Sequence, residues 1–430
     1  MTEAAGAKVG GPAAMRLRRQ AVWFVPLAVL VLLPLLFGST LAITVLNQMG
    51  IAIVFALAYN MLLGQGGMLS FGHAVYFGLG GFIAVHFMNF AEEGLIWLPV
   101  PLVPLVGGLA GLFFGVLFGS FTTNRAGTVF AMISLGIGEL IASSSLIFVG
   151  FFGGEEGITG DRTAAPAVFG FDFARDIEVY YVIAAWVFIS VVLMYFFSRT
   201  PVGRMANAIR DNPERAEFVG YSQQRVRLIS FSAAGLFAGV AGGLFAVNYE
   251  ILTEETLNLV TSGQVLLMAY IGGVGFFFGP IIGAIVFTLL QTLLSNYTEI
   301  WALYVGLVFL ATVMYAPTGL TGLLMMHAPA YRAGRLGRLA VPYVLIGVPA
   351  FAALIGFVGL IEMLHFQSQA AVGETEIGLF WMTIDITSPW GWTAFGALAV
   401  GGVWLVRRAV PGLVAAWEDA NDFAREESRA

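Results

Sequence analysis

The sequence predicts an all-α polytopic membrane protein with about 10 core transmembrane or half-membrane helices and 2 extra C-terminal transmembrane helices. Hydrophobic residues make up 59% of the 430 residues, charged residues only 11%, and the mean hydropathy is +0.87. These values lie outside the range of soluble domains. Apolar stretches of about 18 residues or more recur along the chain, which is the length that a helix needs to cross a bilayer. The 54 glycines are about twice the usual share and favour close helix packing in lipid.

The apolar stretches can be placed in order. The first starts near Ala21 after a basic run, and its length favours a retained signal-anchor over a cleaved signal peptide. The segment at 264–275 is short for a hydrocarbon core of about 30 Å, so we expect a re-entrant or broken helix that ends in the glycine turn Gly272–Gly275. The predicted segments are 21–38, 41–63, 68–89, 97–120, 127–150, 178–197, 228–248, 264–275, 278–294, 300–316, 341–361 and 391–407.

Positive charge predicts which side of the membrane each loop faces. If the N-terminus is cytoplasmic, every Lys and Arg except Arg162 and Arg175 lies in the N-terminal segment, a cytoplasmic loop or the C-terminal tail. Acidic clusters such as Glu92 and Glu93 lie on the other side. Both termini are therefore expected in the cytoplasm. The predicted cytoplasmic loops are Gly64–Gly67, Thr122–Ala126, Arg199–Arg227, Gly272–Pro280 and Met325–Leu339.

This topology divides the chain into four predicted regions. They are a cytoplasmic N-terminal segment at 1–20, a membrane core at 21–325 with its long loop at 199–227, a linker with two additional spans at 326–407, and an acidic tail at 408–430. The tail is expected to be solvated or disordered, or to contact a partner protein.

Composition excludes several kinds of chemistry. The absence of cysteine excludes disulfides and cysteine-ligated metals, and the four scattered histidines predict no metal site. Lys8 is the only lysine, so the chain has no phosphate-binding loop of the Gly-x-x-x-x-Gly-Lys-Ser/Thr type. If nucleotide drives its function, another subunit binds it. No nucleic-acid partner is expected.

Two sets of glycines recur at four-residue spacing. Such small-xxx-small faces allow close helix contact. Packing within this chain and contact with a second subunit both remain open. The glycines are Gly107, Gly111, Gly115 and Gly119 in one stretch and Gly235, Gly239 and Gly243 in another.

The loop Arg199–Arg227 is the longest polar interruption in the apolar core. Asn212-Pro213-Glu214 predicts a helix start, with an Asn N-cap, Pro at the first position and an acid in the first turn. Gly220 is suited to end that helix. The loop is longer than a connector needs, so it docks a partner or is a plain solvated loop. We expect Ala216, Phe218 and Val219 on an apolar face, and Arg204 and Arg210 facing outward from an earlier helical segment.

Glu214-Arg215-Ala216, with Gly220 four residues after Ala216, resembles the Glu-Ala-Ala…Gly loop by which ABC importer permeases engage their ATPases. The surrounding RTPVGRMANAIRDNPERAEFVGY resembles the branched-chain amino acid permease family, in particular its LivM-type subunit. The first Ala of the loop pattern is Arg215 here, and no Ile-x-Leu-Pro follows Gly220. The resemblance covers about residues 20–325 and also rests on YNMLLGQGGMLSFGHAVYFGLGGF (Tyr59–Phe82), GGEEGITG (Gly153–Gly160), SGQVLLMAYIGGVGFFFGPIIGA (Ser262–Ala284) and MYAPTGLTGLL (Met314–Leu324).

The resemblance implies a non-catalytic transport subunit in the bacterial inner membrane. Its expected partners are a second homologous permease subunit, two cytoplasmic ATPase subunits, and a periplasmic or lipid-anchored substrate-binding protein. ATP and Mg²⁺ would be bound by the ATPase subunits, and this chain would hold no cofactor. The implied ATPase-coupling residues are Arg204, Arg210, Asp211, Asn212, Glu214, Ala216 and Gly220.

Polar groups within the spans are candidates for the translocation path. Glu139 is the only carboxylate well inside a span, where a charge costs about 2.5–3.5 kcal/mol, so it should face the bundle interior or a cavity. It would make a structural hydrogen bond or line the path. His73 is expected to make a structural hydrogen bond, with Glu139 as one possible partner. The full candidate set is Asn60, Gln65, Gly66, Gly67, His73, Glu139, Gln264, Gly272 and Gly273.

The sequence thus predicts the permease subunit of an ATP-driven importer for branched-chain amino acids. One alternative is the same scaffold importing urea, short amides or aromatic acids. An alternative of another class is a proton-coupled secondary transporter that uses Glu139, and a third is a membrane scaffold that transports nothing.

Overall fold

The structure is a computed structural model that describes residues 12–166, 170–332, 334, 336–371 and 374–427. Residues 1–11, the first part of the predicted segment 1–20, lie outside the described residues. The chain forms two compact units that divide between Leu323 and Leu324. Both units are almost entirely helical, which confirms the predicted all-α class.

Every predicted apolar segment corresponds to an apolar helix. Within the described residues, eight helices are long and apolar enough to cross a membrane, or nine if Trp301–Tyr315 and Gly319–Tyr331 form one bent span. Three shorter apolar helices account for the rest: Trp23–Leu36, Leu259–Gly272 and Gly279–Ser295. The eight are Thr40–Gln65, Ala74–Glu92, Val100–Thr122, Gly127–Ile147, Asp176–Arg199, Gln223–Tyr249, Leu336–Gln369 and Pro389–Asp419.

The helices are numbered in chain order. They are α1 (Pro12–Leu36), α2 (Thr40–Asn60), α3 (Ala74–Glu92), α4 (Val103–Thr122), α5 (Gly127–Ile147), α6 (Val149–Phe152), α7 (Asp176–Arg199), α8 (Pro201–Asp211), α9 (Pro213–Phe218), α10 (Gln223–Tyr249), α11 (Leu259–Gly272), α12 (Gly279–Ser295), α13 (Trp301–Tyr315), α14 (Gly319–Met326), α15 (Ala328–Arg332), α16 (Leu336–Gln369) and α17 (Pro389–Glu427). Helix α2 continues as a π-helix over Met61–Gln65. Short strands pair as β1 (Ile158–Thr159) with β2 (Ile251–Leu252), and as β3 (Glu376–Leu379) with β4 (Met382–Asp385).

The two glycine faces predicted from the sequence pack against each other inside the first unit. A Cβ added at Gly111 would lie 2.8 Å from the Cα of Gly239, and one added at Gly107 would lie 3.0 Å from the Cα of Gly243. Only glycine allows two helix backbones to approach this closely. The two faces therefore hold α4 against α10, and the interpretation as packing within one chain is correct.

Helices α11 and α12 form a hairpin of two short helices. With 14 residues and a rise of 1.5 Å per residue, α11 is about 21 Å long, less than the hydrocarbon thickness. It ends at Gly272, and Gly273 then takes a φ of +112°, which glycine adopts without the clash that a Cβ would cause. The expected short helix with a glycine turn is therefore present.

Arg162 is one of the two basic residues on the predicted outer side, and hydrogen bonds and an ion pair hold its side chain there. Arg162 is 8% exposed. Its guanidinium donates hydrogen bonds to the carbonyls of Phe173 at 2.9 Å and Val247 at 3.3 Å, and it pairs with Asp176 at 3.3 Å. The other basic residue there, Arg175, pairs with Glu178 in the first turn of α7. Both outer arginines are therefore neutralised locally.

The second unit contains α16 and α17, joined through the hairpin β3–β4. The helices pack closely, because a Cβ on Gly402 would lie 2.7 Å from the Ala353 nitrogen. Helix α17 continues to Glu427, so the described part of the predicted tail is helical and not disordered, while its solvation stays a prediction. Trp417 stabilises this helix end by donating a hydrogen bond to the Tyr343 hydroxyl at 2.9 Å.

Candidate functional site

The long polar loop of the first unit folds into α8 and α9. The Thr200 hydroxyl accepts a hydrogen bond from the Gly203 N–H at 3.2 Å and caps α8, and Asn212 Oδ1 accepts one from the Arg215 N–H at 3.0 Å and caps α9. These caps satisfy N–H groups that have no partner inside the helix. The predicted helix start at Asn212-Pro213 is therefore correct. A small core holds the two helices together and consists of Ala206, Ile209, Ala216 and Val226.

The end of α9 presents apolar side chains to its surroundings. Gly220 has a φ of +88° and its N–H donates to the Glu217 carbonyl at 2.8 Å, which ends the helix. Phe218 is 90% exposed and Val219 is 67% exposed, whereas Ala216 is buried. The predicted apolar face is therefore split: Ala216 belongs to the small core, and Phe218 with Val219 forms an exposed tip. We call Phe218, Val219 and Gly220 the α9 tip.

Arg210 is exposed, as the sequence predicted, and it also reaches a backbone carbonyl of another segment. Its guanidinium donates a hydrogen bond to the Gly64 carbonyl at the end of the π-helix and pairs with Asp211 at 2.9 Å. Carbonyls at helix ends lack intrahelical donors, so Gly64 provides an acceptor. Gly67 leaves room for the arginine stem, since a Cβ there would lie 2.6 Å from Arg210 Cγ. Arg204 lies on the same helix and is exposed too, as the sequence predicted.

The two predicted glycine turns meet at this point. Asn60 Nδ2 donates a hydrogen bond to the Phe276 carbonyl at 3.3 Å. A Cβ added at Gly64 would collide with the Asn60 side chain and with the Val274 carbonyl. The structure thus brings together α8, the break after α2 and the turn between α11 and α12. Six of the predicted path residues lie in or next to this junction: Asn60, Gln65, Gly66, Gly67, Gly272 and Gly273.

A cavity of about 490 Å³ opens in the other half of the first unit, where α2, α10, α11 and α12 converge. Its volume is in the range of small-molecule sites, about 300–1,000 Å³. The lining combines amides and hydroxyls with aromatic rings, and the exposed carboxylate of Glu255 joins it. Such a lining suits a ligand that has both polar and apolar parts. Its amide and aromatic members are Gln48, Gln264, Gln291, Phe55, Phe77, Phe245 and Tyr249.

Gln264 is the one predicted path residue that lines this cavity. Sequence reasoning missed Gln48 and Gln291, although each is an amide within an apolar span, which is the signal that selected Gln264. Amides in spans occur at many positions, and their convergence on one cavity depends on helix packing that the sequence does not display.

His73 lies behind the cavity wall and is fully buried. Its ring stacks on Phe55 at 5.6 Å and contacts Tyr59 at 5.3 Å between ring centroids. Neither ring nitrogen has a hydrogen-bond partner among the described residues, so the expected structural hydrogen bond is absent there and aromatic packing replaces it. Gln65 is also buried, and its Oε1 has no partner within the same part of the chain.

Glu139 faces away from the interior of its own chain. It is exposed on α5, while Phe130, Ser134 and Gly138 occupy the buried side of that helix. The expectation that Glu139 faces the bundle interior or a cavity is therefore wrong for this chain alone. The reason is that Gly138 is the residue that packs against the segment just before α3, where a Cβ would lie 3.2 Å from the Cα of Gly72, and its neighbour consequently points outward.

Comparison with known proteins supports the family suggested by the motifs. Residues 41–317 match the family described as branched-chain amino acid transport system / permease component. The LivM permease protein of a high-affinity branched-chain amino acid transport system in Salmonella typhimurium is 26% identical over 293 residues, 63% of this chain and 67% of the relative. The probable branched-chain amino acid permease LivH of Methanocaldococcus jannaschii is 24% identical over 244 residues, 53% and 74% of the two chains.

Similarity extends to a permease with a different named cargo. The galactose/methyl galactoside import permease MglC of Haemophilus influenzae is 24% identical over 293 residues, 64% of this chain and 86% of the relative. No solved structure gives a significant match. The matched residues 41–317 are well over half of the 430 residues and contain the polar loop 199–227, the glycine junction and the cavity. The chain is a multi-pass membrane protein that belongs to the branched-chain amino acid transport system / permease component family.

Proposed function

We propose that this chain is the translocation subunit of an ATP-driven importer for branched-chain, hydrophobic amino acids. It would work with a second permease subunit, two cytoplasmic ATPase subunits that bind ATP and Mg²⁺, and a substrate-binding protein on the outer side. The family membership supports the transport role, and the lack of a phosphate-binding loop means that ATP hydrolysis must come from another chain. The N-terminus and C-terminus would lie in the cytoplasm.

The observation that carries the ATP-driven assignment is the α9 tip. A phenylalanine that is 90% exposed on a capped, packed helix is typical of an anchor for a protein partner, because burying an aromatic side chain contributes strongly to binding. The α9 tip lies in the predicted cytoplasmic loop, beside Glu214 and in the same loop as Arg210. Motion of a bound ATPase would therefore reach the glycine junction through α8.

The test replaces Phe218 by Ser in the complete transporter. We expect co-purification of the ATPase subunits and ATP-dependent uptake of radiolabelled leucine to fall at least tenfold, while insertion and thermal stability stay unchanged. Phe113→Ser is the matched control for removing an exposed phenylalanine, since Phe113 is 62% exposed on the apolar helix α4. Normal leucine uptake in Phe218→Ser would rule out this docking surface.

The cavity supports a small cargo with a charged and an apolar part. Glu255 at its edge can attract an ammonium group, and Phe55 and Phe245 can contact an aliphatic side chain. Urea, short amides or aromatic acids would fit the same amide-rich lining, and the galactoside permease among the relatives shows that named cargoes differ within this similarity. The importer assignment and the choice of cargo therefore rest on separate observations.

The proton-driven alternative has less support. A carboxylate that carries protons through a single chain should line an internal cavity of that chain. Glu139 is exposed on the outside of the first unit and does not belong to the cavity lining.

A further inference from the structure

The exposed face of α5 carries a carboxylate near the middle of the span, whereas the exposed Glu92 lies at the very end of α3. Glu139 is the thirteenth residue of the 21-residue helix Gly127–Ile147, close to the middle of the span. Gly136 and Ser143 precede and follow it on the same exposed face. A Cβ added at Gly136 would have no atom within 4 Å. Glu139 therefore stands on an open, narrow face of the helix.

The neighbouring helix α4 shows what a lipid-facing span of this protein looks like. Its exposed side chains are all apolar: Leu105, Leu109, Phe113, Val116, Leu117 and Phe121. A face of this kind needs only lipid to cover it. The face of α5 does not fit the same surroundings, because a charged side chain at the centre of a span costs about 2.5–3.5 kcal/mol on insertion scales.

The position of Glu139 limits what can cover it. Mid-span residues lie about 15 Å from either membrane surface, since the hydrocarbon core is about 30 Å thick. An ATPase in the cytoplasm and a binding protein outside cannot reach that depth. The remaining partner is another membrane-spanning chain, and the small residues at Gly136 and Ser143 allow its helix to approach closely.

We propose that the α5 face formed by Met132, Gly136, Glu139, Leu140 and Ser143 is the docking surface for the second permease subunit, and that Glu139 accepts hydrogen bonds from that subunit. This inference rests on the proposed function, which requires two permease subunits. The partner is a distinct permease of the same family, with a hydrogen-bond donor at mid-membrane depth. The similarity of this chain to permeases named LivM and LivH is consistent with a pair of related subunits.

The first test is photo-cross-linking in the assembled transporter. Leu140 and Phe113 are 61% and 62% exposed, so p-benzoylphenylalanine placed at one or the other compares the α5 face with the α4 face at equal exposure. After illumination, mass spectrometry identifies the cross-linked chain. We expect at least tenfold more product with a second, different permease from the Leu140 position. Products with lipid alone, or with another copy of this chain, would overturn the proposal.

The second test separates the role of Glu139 from folding. Glu139→Leu suits lipid better than the native residue, so the chain should insert normally, yet we expect co-purification of the second permease to fall about tenfold. Glu139→Gln keeps a hydrogen-bonding side chain and should retain the partner. Full retention of the partner in Glu139→Leu would contradict the assignment of Glu139.

The failure of this inference can be distinguished from the failure of the proposed function. If ATPase subunits co-purify and uptake depends on ATP, but the Leu140 position gives no product with a permease, only the α5 assignment fails. If no ATPase subunit co-purifies with the unmodified chain, the proposed function itself fails.

Discussion

The two glycine turns at the predicted cytoplasmic side are similar in sequence but are held in different ways. The turn at Gly64–Gly67 packs on the Val274 carbonyl, and side chains add two hydrogen bonds beside it, from the Arg210 guanidinium to the Gly64 carbonyl and from the Asn60 amide to the Phe276 carbonyl. The turn at Gly272–Gly275 is fixed by backbone packed directly on backbone. A side-chain hydrogen bond can break and reform, whereas close backbone packing allows little adjustment.

From this difference we predict that the first turn is the one that moves during transport. It is connected to α8 by the Arg210 hydrogen bond, so a displacement of the loop that carries the α9 tip would act on it directly. The second turn lies in a rigid hairpin and can serve as the fixed side of the junction. Substitutions at the second turn should therefore damage folding, and substitutions at the first should damage coupling.

The largest effect is expected at Gly272. A Cβ there would lie 2.6 Å from the Gly279 carbonyl carbon and 2.8 Å from the Gly283 nitrogen, and backbone atoms cannot move aside cheaply. Overpacking of this kind costs about 1–3 kcal/mol or more. We expect Gly272→Ala to lower the thermal stability of the purified protein and the yield of monodisperse material on size-exclusion chromatography. Gly275→Ala is the matched control, because a Cβ at Gly275 meets nothing within 4 Å; equal losses in both variants would argue against a rigid second turn.

A smaller effect on stability, but a clear effect on transport, is expected at Arg210. A hydrogen bond from a charged donor contributes about 1.5–3 kcal/mol. We expect Arg210→Ala to reduce ATP-dependent uptake about tenfold while the ATPase subunits still co-purify, because the docking surface at Phe218 is intact. Arg204→Ala removes an exposed arginine from the same helix and should leave uptake unchanged. Loss of ATPase binding in Arg210→Ala would place the arginine in docking instead of in coupling.

The sequence predicted the elements of this junction better than their contacts. The lengths of the apolar stretches and the glycines between them located the apolar helices. Glycines at four-residue spacing identified the faces that join α4 to α10. These features are local, so one sequence contains them. The hydrogen bond of Arg210 goes to a carbonyl 146 residues earlier in the chain, and no local pattern predicts such a contact.

Glu139 shows the same limit in another form. The cost of a charge in lipid predicts that the side chain is covered, but it does not specify which chain covers it. From the sequence alone, Glu139 is expected to face the bundle interior or a cavity. The structure shows that the packing of Gly138 on Gly72 determines the side on which Glu139 lies. The presence of a helix can be predicted from composition, whereas the direction that one of its faces takes depends on the helices packed against it.

The smallest effect is expected at Asn60, which makes a neutral hydrogen bond to the Phe276 carbonyl. Such a bond contributes about 0.5–1.5 kcal/mol, so Asn60→Ala should reduce uptake only about threefold. Asn47→Ala is the control, since Asn47 is a buried amide of the same helix α2 that does not contact the turns.

Combining Asn60→Ala with Arg210→Ala measures whether the two residues act on one element. If both position the first turn, the double variant should lose less than the sum of the two separate effects, with a coupling energy of about 0.5–1 kcal/mol. Additive losses would mean that α8 and the second turn act on the first turn independently, and the junction would then be two separate contacts without a shared hinge.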